Sequence, residues 1–202
     1  MPYIALAVLL ASGSLTGQKT GAGAQPDYTL LNQVVACRSI HCIVADLPMA
    51  KGKTDRTVLY AKWLLLQPSN RDAAKGLLEN MPTTEQEVIL LFTLPDWHEG
   101  VTTSEAQMER LDRIHTAWPQ LLAAAVQRLP EFLPAYIRYG RLAVDDNHSD
   151  YTGYEQRVCR ADPKRFESAF LTLSADDQAY IRKYVFDPTR CEAIFLSEAE
   201  GP

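Results

Sequence analysis

The segment from Ser69 to Leu94 confines this chain to a helical architecture, because it spells two helices and the corner between them. Ser69 can cap a helix whose apolar residues Ala73, Ala74, Leu77, Leu78 and Met81 recur at the three-and-four spacing of a one-sided stripe. Pro82 stops that helix, lacking the N–H that would extend it. Thr84 followed by Glu87 forms a capping box, in which each side chain satisfies an orphan amide of the next helix. That helix carries Val88, Ile89, Leu91 and Phe92 and ends before Pro95.

A similar phrase returns near the C-terminus. Phe166, Ala169, Phe170 and Leu173 lead into Ser174 and Gln178, then Tyr180, Ile181, Tyr184 and Val185, so that Met81-Pro82 aligns with Leu173-Ser174 and Gln86 with Gln178. Capping and packing impose this grammar on αα-hairpins in general, and the identity is too low to define a repeat. The expected fold is therefore all-α, an irregular domain of packed αα-hairpins, with a solenoid as the alternative.

Over the whole chain the breaker residues mark out about eight to ten mostly short helices. Asp27 can cap a helix through Leu30, Leu31, Val34 and Val35, and Asp55 to Gln67 reads as a largely buried helix. Ser104 caps a helix with Met108, Leu111, Ile114, His115 and Trp118 on one face; Pro119 is expected to open a new one along Leu121, Leu122, Ala125, Val126 and Leu129. Pro130 and Pro134 punctuate the approach to Tyr136, Ile137, Tyr139 and Leu142, with Arg138 and Arg141 facing out. A helix from Tyr151 to Arg160 follows, and Pro163 suits the first turn of the next. Asp187-Pro188 is read as the cap and first turn of a final helix. No stretch alternates with the period of a strand.

Ile4 to Leu10 is a short apolar run followed by small and polar residues and by Ala22-Gly23-Ala24, the A-x-A pattern of a secretory cleavage site. The run is too short to span a bilayer. Residues 1–24 are accordingly read as a signal peptide and 25–202 as a single helical domain, periplasmic or secreted, without a stable membrane anchor. Removing 1–24 takes away Lys19 and no acid, which moves the formal charge from −5 to −6. An acidic protein is poorly suited to nucleic acid or anionic membranes, which reward clustered Lys and Arg, and well suited to a basic protein partner.

Four cysteines in an oxidising compartment allow three connectivities. Cys37 with Cys42, enclosing Arg-Ser-Ile-His, and Cys159 with Cys191 is the expected pairing. Closing the second loop, about 30 residues, contributes roughly 3 kcal/mol. His41 between the first pair lacks the spacing of a zinc knuckle, and no second ligand pair adjoins it.

Two polar loops are the candidate recognition sites. The first holds Asp96, His98 and Glu99; Thr102 stands where a zincin would need its second histidine. The second holds Asp145, Asp146, His148 and Asp150 beside Tyr151. Asp145, Asn147 and Ser149 begin like an EF-hand loop, but Asp150 replaces its glycine and Gln156 its glutamate. Its carboxylates can engage basic groups on another protein. No nucleophile elbow, phosphate-cradling glycine loop or dinucleotide fingerprint is present, and no cofactor or metal is expected. His115, on an apolar helical face, reads as a core histidine.

These features favour an exported, non-enzymatic protein-binding module, of which an immunity protein against a secreted antibacterial effector is one concrete form. The alternatives are a peptidoglycan-directed envelope hydrolase drawing its general acid from Glu79, Glu87 or Glu131, which requires a carboxyl in an apolar cleft, and an envelope assembly factor with a broad apolar groove.

Overall fold

A computed structural model describes residues 39–50, 52–92, 105–145 and 149–194, the side chains of 89, 90, 92, 105–113, 115, 144, 145, 149 and 150 excepted. The expected signal peptide, the Asp27 helix, Cys37, the loop of Asp96, His98 and Glu99, and Asp146 and His148 lie outside the described residues. The described chain is predominantly α-helical.

The first helices are α1 (Ile40–Asp46), followed by a 3-10 turn at Leu47–Met49, α2 (Lys53–Leu66), α3 (Arg71–Glu79) and α4 (Glu85–Phe92). Alpha-helix α3 begins one residue later than its sequence suggests. Asn70 rather than Ser69 is the cap, its Oδ1 accepting the Ala73 N–H at 2.8 Å. The buried stripe is the expected one: Ala73, Ala74, Leu77, Leu78 and Met81. Gly76 lies on the same face because α2 crosses closely there; a Cβ on it would sit 2.2 Å from the Tyr60 ring.

At the corner, Thr84 Oγ1 accepts the Glu87 N–H at 3.2 Å, as a capping box requires. The reciprocal half is displaced. The Glu87 carboxylate reaches past Thr84 to Thr83, accepting its N–H at 2.6 Å and its hydroxyl at 3.0 Å, and also pairs with Lys53 Nζ at 2.9 Å. A local cap thereby becomes a tie between α4 and the start of α2.

The central helix, α5 (Glu105–Arg128), corrects the expectation of a break at Pro119: the helix runs through it. Proline cannot donate to the carbonyl four residues earlier. Packing offsets that loss, because Ile114, Trp118, Leu122, Ala125 and Val126 on both sides of Pro119 are buried, and α5 contacts α2 and α3. A 3-10 turn at Pro130–Phe132 leads into α6 (Leu133–Asp145), followed by α7 (Ser149–Ala161), α8 (Pro163–Phe170) and α9 (Ala175–Tyr184). Helices α6 and α7 also pack on α5.

Arg138 and Arg141 do face out from α6, and both find Asp177 of α9, at 3.4 and 2.9 Å. Ser174 caps α9 by accepting the Asp177 N–H at 3.1 Å and donates its hydroxyl to the same carboxylate at 2.8 Å. Partial burial works against the charge on Asp177, but these hydrogen bonds and the two guanidinium groups hold its carboxyl below its ordinary range.

The expected final helix is replaced by a short antiparallel ladder, β1 (Phe186–Asp187) with β2 (Glu192–Ala193), pairing Phe186 with Ala193 and Asp187 with Glu192. Asp187 does cap a turn rather than a helix: its Oδ1 accepts the Thr189 N–H at 2.9 Å and the Thr189 hydroxyl at 2.7 Å. The Cys159–Cys191 disulfide fastens this ladder to α7 across a Cα–Cα distance of 5.6 Å. Cys191 therefore lies in a turn, not on a helical face, and adopts φ 55°, the left-handed region. Cys42 is also disulfide-bonded.

Candidate functional site

Two features of the described structure combine polar chemistry with a defined place in the fold. The first is internal, where α5, α6 and α7 meet. Along α7, Tyr151, Glu155, Val158 and Cys159 fall at positions i, i+4, i+7 and i+8, so one helical face turns all four inward, and all four are buried. The face of α6 that receives them presents Tyr136, Tyr139, Gly140 and Ala143, also buried.

Aromatic rings enclose this junction. The Tyr151 ring lies 5.3 Å from that of Tyr136 and 5.2 Å from that of Tyr139, and Tyr139 meets Trp118 edge-on at 6.3 Å. The polar tips of three rings are matched: Trp118 Nε1 donates to the Tyr139 hydroxyl at 3.0 Å, and Tyr151 donates its hydroxyl to the Tyr136 carbonyl at 2.6 Å. Glu155 is wholly buried, and neither of its carboxylate oxygens nor the Tyr136 hydroxyl has a hydrogen-bond partner. A glycine makes room for it, since a Cβ on Gly140 would stand 3.2 Å from Glu155 Oε2 and from the Tyr151 ring edge.

Burial without compensating hydrogen bonds disfavours the charged carboxylate, and it pushes the Glu155 carboxyl up to about 8. Near neutral pH it is a neutral acid. Tyr136 and Tyr151 are driven upward too, first by burial and then by neighbouring acidic groups, so both remain phenols. Chemically, the cluster can take up or release one proton. Its enclosure denies a substrate the contact that general acid catalysis needs.

The second feature is an open groove of about 360 Å³ between the α3–α4 corner and α6. Leu78, Met81, Pro82, Phe132, Ala135 and Leu142 give it an apolar lining, with Glu79 and Arg138 among its polar residues. Tyr139 borders both the groove and the internal cluster. A smaller hollow of about 170 Å³ separates the end of α2 from α5, with Leu65 and Leu121 in its lining.

The structure distributes the sequence candidates unevenly. Tyr151, expected at a recognition surface, is instead a core residue, because its position on α7 shares the inward face with Glu155 and Cys159. Asp145 and Asp150 belong to the last residue of α6 and the second of α7, which places them at the α6–α7 connection. Of the three proposed general acids, Glu79 and Glu131 are exposed. Glu87 is partly desolvated, which alone would raise its carboxyl, but hydrogen bonds from Lys53 and Thr83 and the lysine charge hold it lower than usual. Among the described residues the fully buried glutamate is Glu155, which the sequence reading passed over although its place in an i, i+4, i+7 stripe was visible. Among the described residues, no three His, Cys, Asp or Glu side chains are arranged to hold a metal ion, and no helix is long and apolar enough to cross a membrane.

No family model, curated protein or solved structure matches this chain.

Proposed function

We propose that the chain is an exported, non-enzymatic protein-binding module built as an irregular array of αα-hairpins around α5. The observation that carries this reading is the apolar groove between the α3–α4 corner and α6. Leu142 lines it, and Asp145 follows three residues later, within one helical turn, at the start of the acidic segment Asp145, Asp146 and Asp150. An apolar groove whose helix continues into an acidic stretch of sequence suits an amphipathic segment of a basic protein, whose apolar side chains enter the groove while its Lys and Arg pair with the acidic stretch. The formal charge of −5 favours the same kind of partner.

Export rests on the apolar run from Ile4 to Leu10 and on Ala22-Gly23-Ala24, and it puts the protein in the periplasm or outside the cell. Within this class, immunity against a secreted antibacterial effector is the concrete form we favour, because small acidic proteins that occlude a basic active site meet these requirements. The hydrolase alternative needs a desolvated carboxylic acid open to substrate. Glu87 is tied to Lys53, and Glu155 is enclosed.

Affinity capture with the full chain from envelope and secreted fractions tests the proposal, using two variants as controls. Ala135→Arg fills the exposed groove, and triple reversal of Asp145, Asp146 and Asp150 to Lys inverts the acidic segment. A stoichiometric, salt-sensitive basic partner that both variants release, at unchanged melting temperature, supports the reading. Retention by both variants would remove this face as the binding site, and turnover of peptidoglycan by the purified chain would replace binding with hydrolysis.

A further inference from the structure

The junction of α5, α6 and α7 contains a charge-capable group that no packing argument requires. A leucine at position 155 would meet the inward stripe of α7 without leaving polar atoms unsatisfied in the core. Native interiors pair nearly all such atoms, yet both oxygens of Glu155 and the hydroxyl of Tyr136 are unpartnered here. Gly140 moreover leaves the space on α6 that the carboxyl occupies. The carboxyl thus stands against the backbone of one helix while belonging to the next.

We propose that Glu155, enclosed with the unpartnered Tyr136 hydroxyl where α6 meets α7, is a pH-sensitive latch that holds α7 against α6 only while its carboxyl carries a proton. Opening the contact exposes the carboxyl to water, where it ionises at its ordinary pKa; closing it takes one proton from solvent. The closed state therefore strengthens as the pH falls toward the ordinary carboxylate range. The proposal stands independently of any partner, since it concerns only the α6–α7 contact.

Among the described side chains around this junction, Glu155 is the carboxyl that burial shifts. From α6 it faces Tyr136 and from its own helix Tyr151, both kept as phenols by burial, and the Tyr139 ring packs against that of Tyr151. Arg138 and Arg141 on α6 turn outward to Asp177. On α5, Arg128 is committed to the Pro68 carbonyl, and Trp118 is the neighbour that α5 contributes to the ring cluster. Lys164, Arg165 and Glu167 of α8 and Glu192 of β2, the other elements packed on α7, are exposed. Among the described side chains, no base or cation meets the carboxyl.

Amide hydrogen exchange and carboxyl carbon NMR on the full chain, each followed across pH, test this directly. The Glu155 carboxyl resonance is expected to titrate with a midpoint near 8. Protection of the α7 amides, corrected for intrinsic exchange, should fall by up to tenfold per pH unit between the ordinary carboxylate range and that midpoint, then level off. In Glu155→Gln, which keeps the shape of the neutral acid, protection should be independent of pH over the same interval. A Glu155 resonance titrating in the ordinary carboxylate range would overturn the proposal, as would identical pH dependence of α7 protection in the wild type and the variant. The resonance measurement needs no substitution, so it decides the matter even if Glu155→Gln fails to fold.

Discussion

Tyr151 donates its hydroxyl to the backbone carbonyl of Tyr136 at 2.6 Å, while the hydroxyl of Tyr136 itself donates to nothing. Two buried tyrosines whose rings lie 5.3 Å apart thus carry opposite hydrogen-bonding balances. Removing each oxygen should have opposite consequences. Tyr151→Phe breaks a buried bond and is expected to cost about 1 kcal/mol. Tyr136→Phe removes an unsatisfied polar atom at constant ring volume and should be neutral or stabilising by up to about 1 kcal/mol. Denaturant unfolding of the two variants measures both, and a larger loss for Tyr136→Phe would mean that its hydroxyl has a partner in solution.

The global stability should carry the signature of Glu155. Its carboxyl is raised from 4.5 in the unfolded chain to about 8 in the fold. Between those values the folded state binds more protons than the unfolded one, so stability falls as the pH rises, by about 1.4 kcal/mol per unit at most. Glu155→Gln removes that slope and should be the more stable protein at pH 7.5 by a few kcal/mol, on the order of 2 to 4. Melting curves at pH 5, 6.5 and 8 give the comparison, provided the acid limb is treated separately. Asp177 and Glu87 have lowered carboxyl pKa values, so their contributions are lost in the opposite direction, as the pH drops through their folded values.

The disulfide between Cys159 and Cys191 closes a separation of 32 residues. Its removal should cost roughly 3 to 4 kcal/mol. Because Cys191 adopts φ 55°, the replacement residue matters. Cys159→Ala with Cys191→Gly should be more stable than Cys159→Ala with Cys191→Ala by about 1 kcal/mol, since glycine enters the left-handed region without a steric penalty. Equal stabilities would show that the turn abandons this conformation once the bond is gone.

Gly76 should resist substitution. An added Cβ would meet the Tyr60 ring at 2.2 Å, so Gly76→Ala forces α2 and α3 apart or displaces the ring, at a cost of about 1 to 3 kcal/mol. The intrinsic preference of alanine for helix works the other way by up to about 1 kcal/mol. Tyr60→Ala should therefore convert the same substitution from harmful to helpful, which a double-mutant cycle would register as coupling above 1 kcal/mol.

The sequence by itself left three cysteine connectivities open, from which the fold selected Cys159 with Cys191, whereas it determined the helical class, the corner at Pro82 and the inward stripe of α3. These follow from periodicity, capping and breaker chemistry, which act over a few residues and need no knowledge of the neighbours. Tertiary structure decided three things that no local rule contains. Pro119 is carried within α5 because residues buried on either side of it, Ile114, Trp118, Leu122 and Val126, hold the helix in the core and offset its missing donor. The Asp187-Pro188 pair became a turn between short strands because the ladder and the disulfide to α7 hold that segment. Tyr151 exchanged its expected surface for the core, with Glu155 sealed beside it, because burial depends on what α6 presents to α7, above all the missing side chain at Gly140. A helix can state which residues share a face; only the surface packed against that face decides whether a glutamate there meets water or is sealed among tyrosines.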